Sequence, residues 1–259
     1  MRVRNVIVVG VGEVGKPLLD LVQSVYDAEG VDLESRDDLA GYQADVMHIC
    51  YPWTPAFLAS TNEYINLYNP KLVLIESTVP PYTTQTVAKW NQTVPLCHSP
   101  VRGRRADGWR RSLKAYTKYI GPVLPEYGRA AARYYASLGL KTHVCTSPVD
   151  TEVMKLLSTS YYGVLIGWFQ EVDRICREFS VNSRDVLAFL RSDQTESDGK
   201  HSRPIFVPGV IGGHCVIPNA EMLNHALQQY TGRTSGFLDA LLASNKLRKE
   251  ELDGKTART

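Results

Sequence analysis

Three glycines near the N-terminus have the spacing of a turn that binds a dinucleotide. Gly10, Gly12 and Gly15 follow an apolar run, and Asp32 lies 22 residues after Gly10. The first glycine permits a tight turn, the second lets a pyrophosphate approach the backbone, and the third lets a helix pack on a strand. An aspartate after the next strand would bind ribose hydroxyls and repel a 2′-phosphate, so we expect NAD rather than NADP. The expected contacts within the turn are Gly10, Gly12, Glu13, Val14 and Gly15.

A second candidate group is the thiol of Cys215, which ends a segment rich in glycine and proline, residues 208–215. The preceding Gly212 and Gly213 would let a substrate come close to the sulfur. We expect a helix to begin just after the cysteine, near Pro218, and a helix N-terminus favours the thiolate. The spacing alone leaves a structural role open, because buried cysteines are common.

The remaining cysteines favour a reducing compartment. The chain has five cysteines and no C-x-x-C pair, which argues against a disulfide scaffold or a zinc site. We therefore expect a cytoplasmic protein without a bound metal. The cysteines expected to be core residues are Cys50, Cys97, Cys145 and Cys176.

The composition excludes several classes of protein. With 44% hydrophobic and 22% charged residues, the 259-residue chain is typical of a soluble globular protein. No apolar run approaches the roughly 20 residues of a membrane span, and the N-terminus does not resemble a signal peptide. The 29 basic and 27 acidic residues nearly balance, so nucleic acid is not an expected partner.

Short apolar runs alternate with helical patterns over the first 148 residues. This alternation predicts an α/β domain with a Rossmann-type, doubly wound parallel sheet. The predicted strands are residues 3–9, 31–33, 46–50, 72–75, 95–98, 119–120 and 142–145. The predicted helices are residues 16–25, 56–67, 82–90 and 126–138.

The pattern changes after about residue 148, where apolar residues recur at helical spacing over residues 150–179. We expect domains at 1–148 and 149–259, the second being smaller, all-α and built on this long helix. The middle of the helix is apolar nearly all round, which predicts a homodimer formed through it. The other expectations are helices at 184–190, 220–230 and 236–249, an exposed loop at 192–203 and a frayed tail from 248.

Basic residues are concentrated between Arg102 and Lys118, after the predicted strand at 95–98. Arg102 and Arg104 stand nearest the strand, so they are the best candidates to bind a phosphate or carboxylate of a substrate. The alternative is a solvated basic face.

Several ordered segments resemble the UDP-glucose/GDP-mannose dehydrogenase family. Residues 76–83 (ESTVPPYT) are close to a turn of that family, and residues 208–215 resemble its glycine-rich cysteine segment. The resemblance covers roughly residues 3–225. The other matching segments are residues 7–18, 44–52 and 154–176.

The resemblance implies an NAD-dependent enzyme that oxidises an alcohol to an aldehyde and then to an acid. Cys215 falls on the family's nucleophile, Lys155 on the lysine that stabilises an oxyanion, and Thr78 on the turn beside nicotinamide. Helical phase alone predicts an exposed Lys155, about 200° around the helix from Val153. The resemblance also places Tyr51, Pro52, Ser77 and Thr78 at the cofactor, Thr159, Gly212, Gly213 and His214 at the substrate, and Asn219 in the catalytic set.

Departures from the family leave two other functions open. Thr159 stands where the family has asparagine, and Asn219 where it has aspartate. The loop after residue 99 carries arginines and no glutamate, and we expect a short form without the family's C-terminal nucleotide-sugar domain. The first alternative is a dehydrogenase of the 6-phosphogluconate or hydroxy-acid type that performs one hydride transfer. The second is a degenerate, NAD-binding subunit.

Overall fold

The structure, a computed structural model, describes residues 2–32, 39, 41–103, 109–200 and 202–256. The chain divides into two compact units, Met1–Lys155 and Leu156–Thr259. The division falls slightly after the predicted domain boundary at residue 148. Within the described ranges, no helix has the length and apolar character needed to cross a membrane.

The first unit is built around a sheet with the strand order β2-β1-β3-β4-β5-β6-β7. Neighbouring strands are parallel except β5 and β6, which are antiparallel. The strands are β1 (Asn5–Val9), β2 (Asp27–Val31), β3 (Val46–Ile49), β4 (Val73–Ile75), β5 (Leu96–His98), β6 (Lys118–Pro122) and β7 (Thr142–Val144). The helices are α1 (Gly15–Gln23), α2 (Phe57–Tyr68), α3 (Thr83–Trp90), α4 (Trp109–Ala115) and α5 (Pro125–Ser137). The predicted α/β class with a Rossmann-type sheet is confirmed, and α4 is an addition to the predicted elements.

The central strands are buried on both faces, as their continuous runs of apolar residues predict. Val6 and Val8 of β1 belong to a core that includes residues of α1 and α5. Ile7 and Val9 point the other way, into a core that includes residues of α2. This alternation follows from the two-residue period of a strand, and it gives the sheet one core on each face.

The second strand differs from its prediction at residues 31–33. β2 ends at Val31, which pairs with Val9 of β1. It begins at Asp27, in a stretch too polar and too exposed to give a strand signal, because β2 is the edge strand of the sheet. Asp32 therefore follows the strand directly, at the carboxyl edge of the sheet.

The second unit contains only helices among its described residues. They are the greater part of α6 (Pro148–Glu178), α7 (Ser183–Glu196), α8 (Val216–Thr231) and α9 (Gly236–Thr256). The first eight residues of α6 belong to the first unit. Leu156, Leu223 and Leu241 lie in the core of the second unit, and Gly163 allows the side chains of Leu241 and Val216 to pack closely against α6.

Two predictions about the second unit were wrong. The expected exposed loop at 192–203 is helical as far as Glu196, with Asp193 bonded to Arg203. The expected frayed tail is helical to Thr256, and Arg248 is only 5% exposed. Its guanidinium donates to the Gln170 carbonyl, so a charge near the end of the sequence is part of the helix packing.

Candidate functional site

The glycine-rich turn has the shape that its spacing predicts. Gly10 has a φ of +91°, and a Cβ there would lie 2.6 Å from the Tyr51 nitrogen. A Cβ on Gly15 would lie 1.8 Å from the Gly10 carbonyl oxygen. Around Gly12 no atom of the other described residues, apart from its chain neighbours, lies within 4 Å of the position of a Cβ. The first and third glycines therefore close the turn, and the second leaves its backbone open to a ligand.

Asp32 is held beside this turn, at the exposed edge of the sheet. Its Oδ1 accepts a hydrogen bond from the Val11 amide at 2.8 Å. Glu13 is exposed and Val14, which precedes α1, is half-buried. An acid fixed next to an open glycine backbone matches the needs of a dinucleotide, whose ribose hydroxyls and phosphates require these two kinds of partner.

Hydrogen bonds connect the carboxyl ends of β3 and β4, where the predicted cofactor contacts lie. Ser77 is buried, and its hydroxyl lies 2.6 Å from the Tyr51 carbonyl and 3.1 Å from that of Ile49. Pro52 is exposed and Thr78 is half-buried. The segments that carry these residues therefore have fixed positions relative to one another.

A buried cluster of ionisable side chains lies behind this edge. Glu76 has no exposed surface, and its carboxylate pairs with the ammonium group of Lys118. The same carboxylate accepts hydrogen bonds from the Tyr135 hydroxyl at 2.7 Å and from His48 Nδ1 at 2.9 Å. Nε2 of His48 lies 2.8 Å from the Tyr134 hydroxyl oxygen, within hydrogen-bond distance. The cluster connects β3, β4, β6 and α5 immediately before the Ser77–Thr78 turn.

The charge state of this cluster follows from its contacts. Burial alone would raise the pKa of Glu76, but the Lys118 ammonium group and the His48 contact outweigh it and lower the pKa to about 2. Glu76 is thus ionised at neutral pH, balanced by Lys118. Lys118 belongs to the basic segment for which we weighed a ligand-binding or solvated face, and the structure instead places it in the interior.

His98 connects the same turn to the start of α6. Burial lowers its pKa to about 3, so the ring is neutral. Its Nε2 donates to the Ser77 carbonyl at 3.0 Å, and its Nδ1 accepts from the Thr151 hydroxyl at 2.7 Å. A direct chain of hydrogen bonds therefore runs from the Ser77–Thr78 turn to the first turn of α6.

Lys155, one turn further along α6, is half-buried rather than exposed. Its Nζ donates to the Val101 carbonyl at 2.8 Å, in the segment that follows β5. The exposure predicted from helical phase was wrong because this part of α6 packs on the sheet through its polar side chains. The ammonium group is therefore held at the carboxyl side of β5.

The second unit presents Cys215 at the start of α8. The helix begins at Val216, two residues before the expected position, and the cysteine is exposed. Gly212 and His214 are also exposed, and Gly213 has a φ of +78°. Within the described part of the chain, no atom beyond the neighbouring residues lies within 4 Å of a Cβ built on either glycine. The thiol thus lies in an open segment of backbone, and its nucleophilic role remains a prediction.

The two departures from the resembled family contact each other. The Asn219 side chain is buried and donates from Nδ2 to the Thr159 hydroxyl at 2.9 Å. Both side chains are uncharged amide or hydroxyl groups. This pair therefore supplies no carboxylate that could act as a general base.

Of the two arginines predicted to bind a substrate, only Arg102 lies within the described residues. It is exposed, and its guanidinium carbon lies 5.2 Å from the centre of the Tyr119 ring and 5.5 Å from that of Tyr116. These cation–π contacts orient the side chain without neutralising its charge. Arg104 lies outside the described residues.

The four other cysteines divide into two pairs. Cys97 and Cys176 are buried, as predicted, whereas Cys50 and Cys145 are half-buried because they follow the ends of their strands. Burial raises the pKa of the Cys97 thiol to about 12, which makes it inert at neutral pH. No cluster of three acidic, histidine or cysteine side chains suited to a metal occurs among the described residues.

Three buried polar residues that support the site were not among the predicted site residues. His48 and His98 lie within apolar strands, and Glu76 follows one directly. A polar residue in a strand buried on both faces requires an internal partner, and that signal could have identified all three. The partners themselves, above all Lys118, lie too far away in sequence to be inferred from local pattern.

The family model that matches the chain is that of the UDP-glucose/GDP-mannose dehydrogenase family, central domain, over residues 149–246. A curated relative is UDP-N-acetyl-D-mannosamine dehydrogenase of Methanocaldococcus jannaschii, 26% identical over 220 residues. The alignment covers 78% of this chain and 48% of that protein. UDP-glucose 6-dehydrogenase of Campylobacter jejuni is also 26% identical, over 69% of this chain and 44% of its own length. The chain thus spans about half the length of these relatives.

Solved structures show the same fold. UDP-D-ManNAc dehydrogenase from Pyrococcus horikoshii superposes with a TM-score of 0.82 at 20% identity, covering 96% of this chain and 70% of that one. 3-Hydroxyisobutyrate dehydrogenase from Mycobacterium tuberculosis gives a TM-score of 0.70 at 14% identity, covering 95% and 94% of the two chains. The resemblance predicted from the sequence is confirmed by the family match and the named relatives.

Proposed function

From this resemblance to the UDP-glucose/GDP-mannose dehydrogenases, we propose that the chain is an NAD-dependent dehydrogenase acting on an alcohol of a sugar-like or anionic substrate. Nucleotide sugars are the substrate class named for its relatives. The observation that carries the proposal is the glycine-rich turn with its open Gly12 backbone and the adjacent Asp32 carboxylate. Together they fit a dinucleotide at the carboxyl edge of the sheet, the usual position for such ligands.

The first unit would hold the cofactor through backbone and side-chain groups in three segments. The turn at Gly10–Gly15 would bind the pyrophosphate and Asp32 the adenosine ribose. Tyr51, Pro52, Ser77 and Thr78 would border the rest of the molecule. When bound, NAD would supply the acceptor for the hydride of the alcohol carbon.

Cys215 and Lys155 would carry the reaction beyond an aldehyde. The Cys215 sulfur would add to the aldehyde carbon to form a thiohemiacetal. A second NAD would accept the hydride of that carbon, which leaves a thioester, and water would hydrolyse the thioester to the acid and the free thiol. The Lys155 ammonium group would stabilise negative charge on the substrate oxygen. Exposure of the Cys215 thiol supports this role, because a nucleophile must be reached by its substrate. Arg102 would bind an anionic part of the substrate, with Thr159, Asn219 and the 212–214 segment as further contacts.

The test is NADH production with a panel of nucleotide sugars, sugar phosphates and hydroxy acids. We expect two NADH per substrate oxidised, and loss of the second in Cys215→Ala. Cys145→Ala, a half-buried cysteine without an assigned role, is the matched control and should behave like the unmodified protein. Absence of turnover across the panel, with NAD bound, would leave the degenerate subunit as the better description.

The second candidate function is a single oxidation, as in hydroxy-acid dehydrogenases. It is favoured by the bond between Asn219 and Thr159, since neither side chain can take up a proton from water near neutral pH. One NADH per substrate, with activity retained in Cys215→Ala, would establish this alternative.

We further propose a cytoplasmic homodimer formed through α6. Four apolar side chains of the second unit lie within about 40° of one another on this helix at 100° per residue. They are Leu157, Tyr161, Trp168 and Ile175, each between 43% and 56% exposed. Such a stripe is typical of a helix that packs against a partner. Sedimentation at micromolar concentration should give a dimer, and Trp168→Glu should give a monomer.

A further inference from the structure

Glu152 is a buried carboxyl group that the proposed reaction does not use. It is the fifth residue of α6, three residues before Lys155, and has no exposed surface. Its Oε2 accepts from the Tyr82 amide at 2.7 Å. Its Oε1 accepts from the amide of Thr84 at 2.9 Å and from the hydroxyl of the same residue at 2.6 Å. All three donors belong to the start of α3.

The start of α3 is also the end of the turn that carries Thr78. Tyr82 occupies the left-handed region there, with a φ of 72°. This conformation costs a residue other than glycine about 1 kcal/mol or more, so it persists only where its surroundings enforce it. The bond from the Tyr82 amide to Glu152 is one such restraint, and the bonds to Thr84 hold the next turn of backbone. Glu152 therefore fixes the turn at the far end from Ser77.

The other end of the turn is attached to the same part of α6. His98 bridges the Ser77 carbonyl and the Thr151 hydroxyl, and Thr151 is the immediate neighbour of Glu152. This part of α6 lies close to the sheet because residue 121 of β6 is a glycine. A Cβ on Gly121 would lie only 2.5 Å from the Thr151 hydroxyl oxygen and from the Ser147 carbonyl oxygen. One turn of helix thus holds both ends of the segment that presents Thr78, and the next turn presents Lys155.

We propose that Glu152 is a positioning residue, which fixes Thr78 relative to Lys155 by joining the N-terminal part of α6 to the start of α3. The inference rests on the proposed function, because it concerns the two residues expected beside the reacting carbon. Glu152 itself has no exposed surface, and its three hydrogen bonds go to the start of α3, so it would act only through them. Small displacements of catalytic groups lower the rate of the chemical step more than they weaken binding.

The test compares Glu152→Gln with Glu178→Gln, an exposed glutamate at the last residue of the same helix. Glutamine has nearly the same shape as glutamate, but its NH2 group donates a hydrogen bond where a carboxylate oxygen accepts one. In this variant the NH2 group would face an amide or hydroxyl donor of α3. With a substrate that the enzyme oxidises, Glu152→Gln should lower kcat at least tenfold while the KM for NAD changes less than threefold. Glu178→Gln should leave both constants unchanged. A kcat within twofold of the unmodified enzyme would overturn the proposal.

Amide hydrogen exchange tests the same contact without any turnover. The Tyr82 and Thr84 amides should exchange at least tenfold faster in Glu152→Gln, and at an unchanged rate in Glu178→Gln. Unchanged exchange in Glu152→Gln would overturn the positioning role even if the chain proved active. If the unmodified protein oxidises nothing in the panel, the proposed function fails, and the exchange of these two amides alone decides whether Glu152 restrains the turn.

A second variant guards against misfolding of the first. Thr84→Val removes one donor to Glu152 and keeps the amide, so it should lower kcat in the same direction by a smaller factor. Equal kcat in Thr84→Val and in the unmodified enzyme, with faster exchange of the Tyr82 amide, would show a structural role only and so contradict the proposal.

Discussion

The candidate residues in the first half of the chain and those in its second half are held in opposite ways. In the first unit, the turn at Ser77–Thr78 is supported from below by buried polar groups, among them Glu76 and His98. In the second unit, residues 212–215 are exposed, and no described side chain crowds Gly212 or Gly213. The candidate residues of the first half therefore resist substitution through packing and charge balance. Residues 212–215 of the second half have few such constraints, whereas Ile211 just before them is buried and bonded to Asn245.

The largest expected effect is at the buried ion pair of the first half. Lys118→Met leaves the Glu76 carboxylate buried without its cation, which should cost about 3–5 kcal/mol in the free energy of unfolding. The double variant Glu76→Gln/Lys118→Met should be more stable than Lys118→Met, since the unpaired charge is gone. Denaturant unfolding at pH 7 measures both.

A surface pair provides the control for that experiment. Lys71 is bonded to Asp45 at 2.7 Å, but its side chain is 66% exposed. Lys71→Met should cost no more than about 1 kcal/mol. Equal losses in Lys118→Met and Lys71→Met would mean that the buried cluster does not support the sheet edge.

The glycines allow a direct comparison of the two halves. Gly15→Ala places a methyl group where the Gly10 carbonyl now lies, and should destabilise the protein by about 3 kcal/mol and abolish NAD binding. The methyl group of Gly212→Ala meets no atom of a described residue within 4 Å, apart from its chain neighbours, and should change the free energy of unfolding by less than about 0.5 kcal/mol. Thermal unfolding and calorimetric titration with NAD measure these effects. Similar destabilisation by both substitutions would remove the contrast between the halves.

Glu152 should make the stability of the first half depend on pH. Burial raises its pKa to about 7 against the hydrogen bonds from Thr84 and Tyr82, which lower it. The folded protein then binds the proton more tightly than the unfolded chain. The contribution of this group is fully present below pH 4.5 and is lost as the pH rises through 7.

The size of this effect follows from the difference between the two pKa values. Between pH 5 and pH 8, the unmodified protein should lose roughly 2 to 3 kcal/mol of unfolding free energy relative to Glu152→Gln. The Glu152 carboxyl group contacts backbone amides and a hydroxyl at the start of α3, and these groups do not change their charge between pH 5 and pH 8. His98 stays neutral over the same range. Parallel stability curves for the two proteins would show that Glu152 does not titrate in this range.

The sequence predicted best those features that local spacing determines. The sheet class, the glycine-rich turn and the long helix α6 follow from patterns within ten to thirty residues. The edge strand β2 was misplaced because its residues are polar, and the register with β1 is set by pairing rather than by composition. Helix α9 was ended too early because Arg248 looks solvent-exposed in sequence and is buried by its bonds to α6.

The candidate site shows the same limit. Asp32 and Cys215 could be identified from their neighbours, whereas Lys118 and Glu152 could not. The partners of Lys118 and Glu152 lie 42 and up to 70 residues away in the chain. Local pattern therefore identifies groups exposed to a ligand more readily than the buried groups that hold them in place.

The smallest effect on stability is expected at Cys215, where the contrast between the halves is sharpest. Its side chain is exposed and makes no capping bond to α8, so Cys215→Ala should change the free energy of unfolding by less than about 0.5 kcal/mol. The same substitution should prevent release of an acid product, because the thiol would hold the aldehyde through the second oxidation. Acid formation followed by mass spectrometry, beside thermal unfolding, measures both. A stable variant that still forms the acid would place Cys215 outside the chemistry, and the open glycine segment would then serve only as a loop into α8.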